Sequence, residues 1–180
     1  RVFTIKGSGT VATGTLWSGA AHVGDEVEVL PSGQRTRIRG IQIHGVAPDE
    51  APAGNRVALN LNPISTDEIR PGVFLSTPGA TQVSDRFDAQ LTYLGLPDSP
   101  KPLVSGTRVH IAHGTAEVIG RILLLNTGEQ DAEQLHPGNT ALVQIRLDEP
   151  LPSMGGDRCV VRSYSPVHVM GGGMVLRAHP

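Results

Sequence analysis

The stretch RVFTIKGSGTVATG, Arg1 to Gly14, decides the fold of the chain. It consists of two short runs joined by the turn Gly7-Ser8-Gly9, in which glycine tolerates the positive φ of a sharp reversal. The first run places Phe3 and Ile5 at alternate positions, a period typical of a half-buried strand. The second run, residues 10–16, is rich in β-branched residues. The stretch therefore predicts a β-hairpin.

A glycine-rich turn also occurs in phosphate-binding loops, so that interpretation must be weighed. Such a loop needs a glycine, four further residues and Gly-Lys-Ser/Thr at the start of a helix. Here no lysine follows the glycines, and the next residues have the pattern of a strand. The turn is therefore interpreted as part of a hairpin.

The composition is that of a water-soluble chain built from short strands. Of 180 residues, 38% are hydrophobic and 18% charged, and the 22 glycines and 14 prolines suit many tight turns. No apolar run reaches membrane length, and the single Cys159 excludes an internal disulfide. We expect a cytoplasmic location and no membrane partner. The net charge of −2 lacks the basic excess of a non-specific nucleic-acid binder, so any RNA contact must depend on a few placed side chains.

Three arginines recur at every second position in the first half of the chain. Arg35, Arg37 and Arg39 therefore place three guanidinium groups on one face of a strand. Beyond Gly40 the apolar Ile41 takes the same parity, which predicts a β-bulge at Gly40. The arginine row is either a solvated face or a strip that contacts phosphates, and the sequence leaves both open.

The remaining pattern indicates two all-β domains. One short helical turn is expected within Ser65 to Gly72, and the polar, turn-rich segment Ser76 to Ser84 marks the boundary between domains 1–80 and 81–180. A last hairpin is predicted around Gly171-Gly172-Gly173. We predict an all-β fold of two consecutive antiparallel β-barrels. The predicted inward-facing positions include Val57, Leu59, Leu61, Phe87, Ala89, Leu91, Tyr93, Val143, Ile145, Leu147 and Cys159.

Few residues suggest catalysis or metal binding. His110 and His113 are separated by two residues, but no carboxylate or second cysteine completes a zinc site at ligand spacing. No Gly-x-Ser-x-Gly elbow is present, and Cys159 has the parity of an inert core thiol. Arg162 to His168, by contrast, combines cations, hydroxyls and one aromatic ring between two strands. This segment is either an ordinary polar hairpin or a set of RNA backbone contacts.

Five segments, in order, carry a resemblance to one family over nearly the whole chain. They are RVFTIKGSGTVATGTLWSG, HVGDEVEVLPSG, AGNRVALNL, HGTAEVIGRILLL and GDRCVVRSYSPVHVMGGG. Together they resemble the second and third domains of translational GTPases related to elongation factor Tu, most of all the selenocysteine-specific elongation factors. The resemblance implies a domain II-like barrel followed by a domain III-like barrel.

The resemblance also implies the site residues. In that family the first barrel holds the aminoacylated 3′ end of a tRNA, and a hairpin of the next faces its acceptor and T stems. Arg1 and Arg56 correspond to positions that line the amino-acid pocket, and relatives that carry ordinary amino acids lack an arginine at the position of Arg56. The residues implied to contact aminoacyl-tRNA are Arg1, Val2, Phe3, Thr13, Gly14, Arg56, His113, Arg162, Ser163 and His168.

The function implied is the binding of selenocysteinyl-tRNA for GTP-dependent delivery to the ribosome. The chain itself would be no enzyme and hold no cofactor, because GTP and magnesium would belong to an N-terminal GTPase domain outside this sequence. A C-terminal RNA-binding domain would also lie outside it. Two alternatives remain: the barrels of another translational GTPase, of elongation factor Tu or initiation factor type, which Arg56 argues against, or the barrels of a sulfate-activating GTPase, which would need no tRNA surface.

Overall fold

The computed structural model describes residues 2–5, 9–96, 99, 101–125 and 133–180, with the backbone alone for residues 2–5. The chain divides into two compact units, Arg1–Ala80 and Thr81–Pro180, which we call the N-terminal and C-terminal units. Strands dominate both units, which confirms the all-β fold class. Among the described residues the only helix is a single 3-10 turn, Thr66–Glu68, within the segment where a helical turn is expected. No helix in this part of the chain has the length and apolar character needed to cross a membrane.

The N-terminal unit is built on a six-stranded antiparallel sheet. Its described strands are β1 (Val2–Ile5), β2 (Gly9–Thr15), β3 (Ala20–His22), β4 (Glu26–Leu30), β5 (Gln34–Gln42), β6 (Glu50–Pro52), β7 (Arg56–Asn62) and β8 (Phe74–Ser76). The large sheet has the order β1-β2-β7-β5-β4-β8, and β3 pairs with β6. The strands β1 and β2 pair antiparallel, with Ile5 opposite Gly9, as the hairpin prediction requires. The turn residues 6–8 lie outside the described residues.

One apolar core joins the two sheets of this unit. Val57, Leu59 and Leu61 of β7 alternate inward and are at most 6% exposed, as predicted. Ala21 of β3 and Ala51 of β6 belong to the same cluster. Because both sheets bury their apolar faces against each other, the unit has a barrel-like architecture.

The β-bulge predicted at Gly40 is present. The register between β5 and β7 shifts between Ile38 and Gly40. The extra residue changes the phase of the alternation, so Ile38 and Ile41 are both buried although they are three positions apart. The three arginines of β5 are all exposed on the outer face.

The C-terminal unit contains a closed six-stranded barrel. Its described strands are β9 (Val83–Tyr93), β10 (Leu103–Val104), β11 (Thr107–His113), β12 (Ala116–Leu124), β13 (Gln134–Leu135), β14 (Thr140–Pro152), β15 (Arg158–Ser163) and β16 (Val169–Arg177). The barrel order is β11-β12-β14-β9-β16-β15, and β10 pairs separately with β13. Phe87, Leu91 and Ile145 are at most 1% exposed in the barrel core, as their alternation predicts.

The prediction that the last hairpin turns at Gly171-Gly172-Gly173 is wrong. These glycines lie inside β16, and the connection from β15 to β16 is residues 164–168. At Gly171 and Gly173 a Cβ atom would overlap the carbonyl oxygens of Thr92 and Gln90 on β9. The glycines therefore permit a close approach of two strands rather than a reversal of the chain.

Candidate nucleic-acid interfaces

Three predicted contact residues meet where β2 runs beside β7. In this register Thr13 is opposite Ala58 and Thr15 is opposite Arg56, and Gly14 lies between them. Paired residues point to the same side of a sheet, and sides alternate along a strand. Thr13, Thr15 and Arg56 therefore share the outer face. We call Thr13, Gly14, Thr15, Arg56 and Ala58 the β2–β7 site.

Arg56 is an available cation in this site. Its side chain is exposed, and within the described part of the chain it forms no ion pair or hydrogen bond. Gly14 is opposite the buried Val57, so a side chain at that position would point to the other face of the sheet from Arg56. The arrangement suits an anionic group presented to the outer face of the sheet.

The strand β1 continues this surface on the other side of β2. Val2 is opposite Ala12 and Phe3 is opposite Val11, so the backbone of both predicted residues lies next to the β2–β7 site. Arg1 lies outside the described residues. Its predicted convergence with Arg56 therefore stays a prediction.

Two polar residues that sequence reasoning missed also lie on this face. Gln42 of β5 is opposite Ala58, and Asn60 of β7 is opposite both Val11 and Gly40. The Asn60 Oδ1 atom is buried and finds no hydrogen-bond partner in the described structure. An unsatisfied buried acceptor typically costs about 1–3 kcal/mol. The sequence did not indicate them because it does not show that β5 and β7 are neighbouring strands.

The loop from β15 to β16 is shaped by Ser163. Its Oγ donates to the carbonyl of Pro166 and accepts from the His168 N–H at 2.9 Å. Ser163 is only 8% exposed, so we expect it to hold the loop rather than to contact a ligand. His168 itself is exposed.

A carboxylate on a nearby strand fixes Arg162. Its Nη1 lies 2.9 Å from Glu117 Oε2 on β12. The other oxygen of Glu117 lies 3.2 Å from His110 Nδ1 on β11. The Arg162 side chain remains about one third exposed. Arg162 is therefore held in place by a carboxylate and still reaches the surface.

Tyr164 lies against the same strands. Its ring stacks on His110, with centroids 5.6 Å apart and planes inclined by 16°, and the Arg108 guanidinium carbon is 4.5 Å from its centroid. The ring is 42% exposed. An exposed aromatic ring among cations is a surface that RNA recognises through stacking and phosphate contacts. We call Arg108, His110, Glu117, Arg162 and Tyr164 the hairpin face.

His113 corrects one prediction. Its side chain has no exposed surface, and its Nε2 lies 3.1 Å from Asp157 Oδ2. A side chain buried in the barrel cannot contact a tRNA, so His113 does not belong to the hairpin face. His110 is partly exposed, because the two histidines have opposite parity on β11. No group of three or more metal-ligating side chains is found among the described residues.

Cys159 is buried in the barrel core, as its parity predicts. Burial raises the pKa of the thiol to about 11, although a hydrogen bond with the Gly173 backbone acts in the opposite direction. A thiol of this kind is almost wholly protonated at neutral pH and is a poor nucleophile.

The glycine turn does not fit a nucleotide. The segment that follows it is the strand β2, and no Lys-Ser/Thr pair is placed to cradle phosphates at a helix start.

Each of the two units matches the model of a known protein family. Residues 9–76 match the model of elongation factor Tu domain 2. Residues 92–180 match the β-barrel domain of the selenocysteine-specific elongation factor. The chain therefore contains the β-barrel modules of a translation factor.

Individual relatives show to which family of translation factors the chain belongs. A selenocysteine-specific elongation factor from Desulfomicrobium baculatum is 43% identical over 98% of the chain, and one from Haemophilus influenzae is 34% identical over 98%. The apo crystal structure of translation elongation factor SelB from Methanococcus maripaludis matches all of the chain with a TM-score of 0.76 at 28% identity, and the match covers 42% of that protein. The chain belongs to the selenocysteine-specific elongation factor family. It spans 27% of the length of each of the two bacterial relatives.

Proposed function

We propose that this chain binds selenocysteinyl-tRNA for delivery to the ribosome by a GTP-dependent factor. The β2–β7 site would hold the aminoacylated 3′ end, and the hairpin face would contact the body of the tRNA. The chain would catalyse no step. GTP and magnesium would be bound by other parts of the protein.

The observation that carries the proposal is the exposed guanidinium of Arg56 on the outer face, which forms no ion pair or hydrogen bond within the described residues. A thiol titrates near pH 8.5, and selenium is larger and more polarisable, so it holds negative charge more readily. Selenocysteine on a tRNA is therefore largely an anion at neutral pH, whereas serine is neutral. A cation at this position attracts the selenolate and gains little from serine. Charge would thus discriminate two side chains that differ by one atom.

The hairpin face supplies contacts that do not depend on the amino acid. Arg162 can donate to a phosphate because part of its guanidinium is exposed while Glu117 fixes its position. Tyr164 offers a partly exposed aromatic ring, and His168 is exposed on the adjoining loop. Such contacts recognise the shape and backbone of RNA rather than its sequence.

The main alternative is a carrier of ordinary aminoacyl-tRNAs. Elongation factor Tu 2 from Streptomyces avermitilis is 33% identical over 84% of the chain, and the match covers 38% of that relative. A carrier of ordinary aminoacyl-tRNAs must accept anionic, neutral and cationic side chains alike, so a cation at position 56 would hinder part of its cargo.

Binding measurements on the full-length protein that contains this chain test the proposal. With a non-hydrolysable GTP analogue present, we expect affinity to fall in the order selenocysteinyl-tRNA, seryl-tRNA, uncharged tRNA, with at least a tenfold first step. Equal affinity for both aminoacyl-tRNAs would favour the general carrier. No binding of any tRNA would contradict the function itself.

A further inference from the structure

The outer face of the β2–β7 site continues along β5. Gln42 and Gly40 are opposite Ala58 and Asn60, and beyond the bulge Arg37 is opposite Asn62. All these β7 residues have the parity of Arg56, so they share the outer face. The arginine row of β5 is thus continuous with the site proposed to hold the end of the tRNA.

The three arginines of this row differ in their partners. Arg35 forms an ion pair with Glu26, with Nη1 and Oε1 3.3 Å apart. Arg39 instead lies against a neutral side chain: with the Asn62 amide oriented so that its oxygen faces the arginine, this oxygen is 3.0, 2.6 and 2.9 Å from Nη1, Nη2 and Nε. Arg37 is exposed and has no ion pair or hydrogen bond within the described residues.

Arg37 lies opposite Glu26 in the register of β4 and β5, but Glu26 forms its ion pair with Arg35. Asn62 lies against the Arg39 guanidinium without cancelling its charge, and a guanidinium has five N–H groups, so donors remain for a second acceptor. Side chains at every second position of a strand stand roughly 7 Å apart. That spacing is comparable to successive phosphates of an extended nucleic-acid strand.

We propose that Arg37 and Arg39, with Asn62 holding Arg39, bind the phosphodiester backbone of the single-stranded nucleotides that lead to the terminal nucleotide of the tRNA. This inference rests on the proposed function. It adds a second ligand group, consecutive phosphates, at a place that the amino acid does not reach. Single strands are commonly tracked by such positively charged grooves.

A pair of uncharged tRNAs, intact and lacking the single-stranded 3′ nucleotides, tests the inference on the full-length protein at low salt. Arg37→Ala should weaken binding of the intact tRNA about 3- to 10-fold and reduce its salt slope by about one. The same variant should leave binding of the truncated tRNA within about twofold, because the phosphates it contacts are missing. Arg37→Lys should restore most of the affinity, since the charge remains.

Arg35→Ala is the matched control on the same strand. Its charge is already compensated by Glu26, so the intact tRNA should bind it within about twofold of the parent. Equal losses for intact and truncated tRNA would overturn the proposal, as would no loss for either. Either outcome would leave the proposed function intact if the parent protein still prefers selenocysteinyl-tRNA. Failure of the parent protein to bind any tRNA would overturn the proposed function together with this inference.

Discussion

Arg162 and Glu117 lie on strands that do not pair with each other, yet Arg162 Nη1 and Glu117 Oε2 are 2.9 Å apart across β11. The second oxygen of Glu117 contacts His110. One carboxylate thus organises two of the groups that we propose to meet RNA, and it also lowers the net positive charge that RNA would encounter.

Replacing Glu117 should therefore strengthen RNA binding. Glu117→Gln keeps the size of the side chain and removes the negative charge, so we expect tRNA affinity to rise roughly 2- to 5-fold and the salt dependence to steepen. Arg162→Ala should weaken the binding of all tRNAs alike, by about 3- to 10-fold, and make the salt dependence less steep. Fluorescence titration over a salt series measures both. Arg86→Ala, which breaks an exposed pair with the adjacent Asp85, is the control, and a decrease with Glu117→Gln would contradict this role.

The Tyr164 ring should contribute through its face. Tyr164→Ala should weaken tRNA binding by about 1 kcal/mol or more, near the lower limit for base–aromatic stacking, because one side of the ring already contacts His110. Tyr164→Phe retains the ring and should bind within about twofold of the parent. If both variants weaken binding equally, the hydroxyl rather than the ring makes the contact.

Gly171 should be essential for closing the C-terminal barrel. In Gly171→Ala the new methyl group overlaps a backbone oxygen of β9 that cannot move independently. We expect a loss of roughly 3 kcal/mol or more in the free energy of unfolding. Gly172→Ala is the graded control, because its Cβ would lie 3.1 Å from the Cys159 carbonyl oxygen, and it should cost less. Urea unfolding of both variants measures the difference, and equal stability would contradict the close-approach argument.

Alternation along strands predicted much of this fold. The inward positions of β7 and β9 and the bulge at Gly40 could be read from residue parity, since a half-buried sheet imposes a period of two. The glycines of β16 could not be assigned in the same way. A glycine required by a close approach and one required by a turn have the same local sequence signature, and only the position of the neighbouring strand distinguishes them.

The candidate site was predicted only in part, because it also depends on which strands are neighbours. Thr13 and Arg56 come together because β2 and β7 are neighbours, which the family resemblance implies. The partners of Arg162 could not be foreseen, because Glu117 and His110 lie on other strands about fifty residues earlier. The family resemblance also misplaced His113, whose parity on β11 turns it into the core.

The Cys159 thiol should make stability depend on pH. Its folded-state pKa of about 11 lies above the ordinary value of 9.0, so the folded state retains a proton that the unfolded state loses. The contribution of the protonated thiol to the free energy of unfolding is complete below about pH 9. It is lost as the pH rises towards 11, and the loss amounts to up to about 3 kcal/mol. Urea unfolding of the parent and of Cys159→Ala between pH 8 and 11 tests this. If both lose stability in parallel, the thiol is not responsible.

The most direct test of the account is the selectivity of the Arg56→Ala variant of the full-length protein. The parent should prefer selenocysteinyl- over seryl-tRNA by roughly 2–4 kcal/mol if charge at the β2–β7 site makes the distinction. Arg56→Ala should lose most of that preference while seryl-tRNA binding stays nearly unchanged, and Arg56→Lys should retain part of it. Equilibrium competition between the two aminoacyl-tRNAs gives the ratio directly. A ratio that falls at least tenfold in Arg56→Ala would support the proposed function, and an unchanged ratio would contradict it.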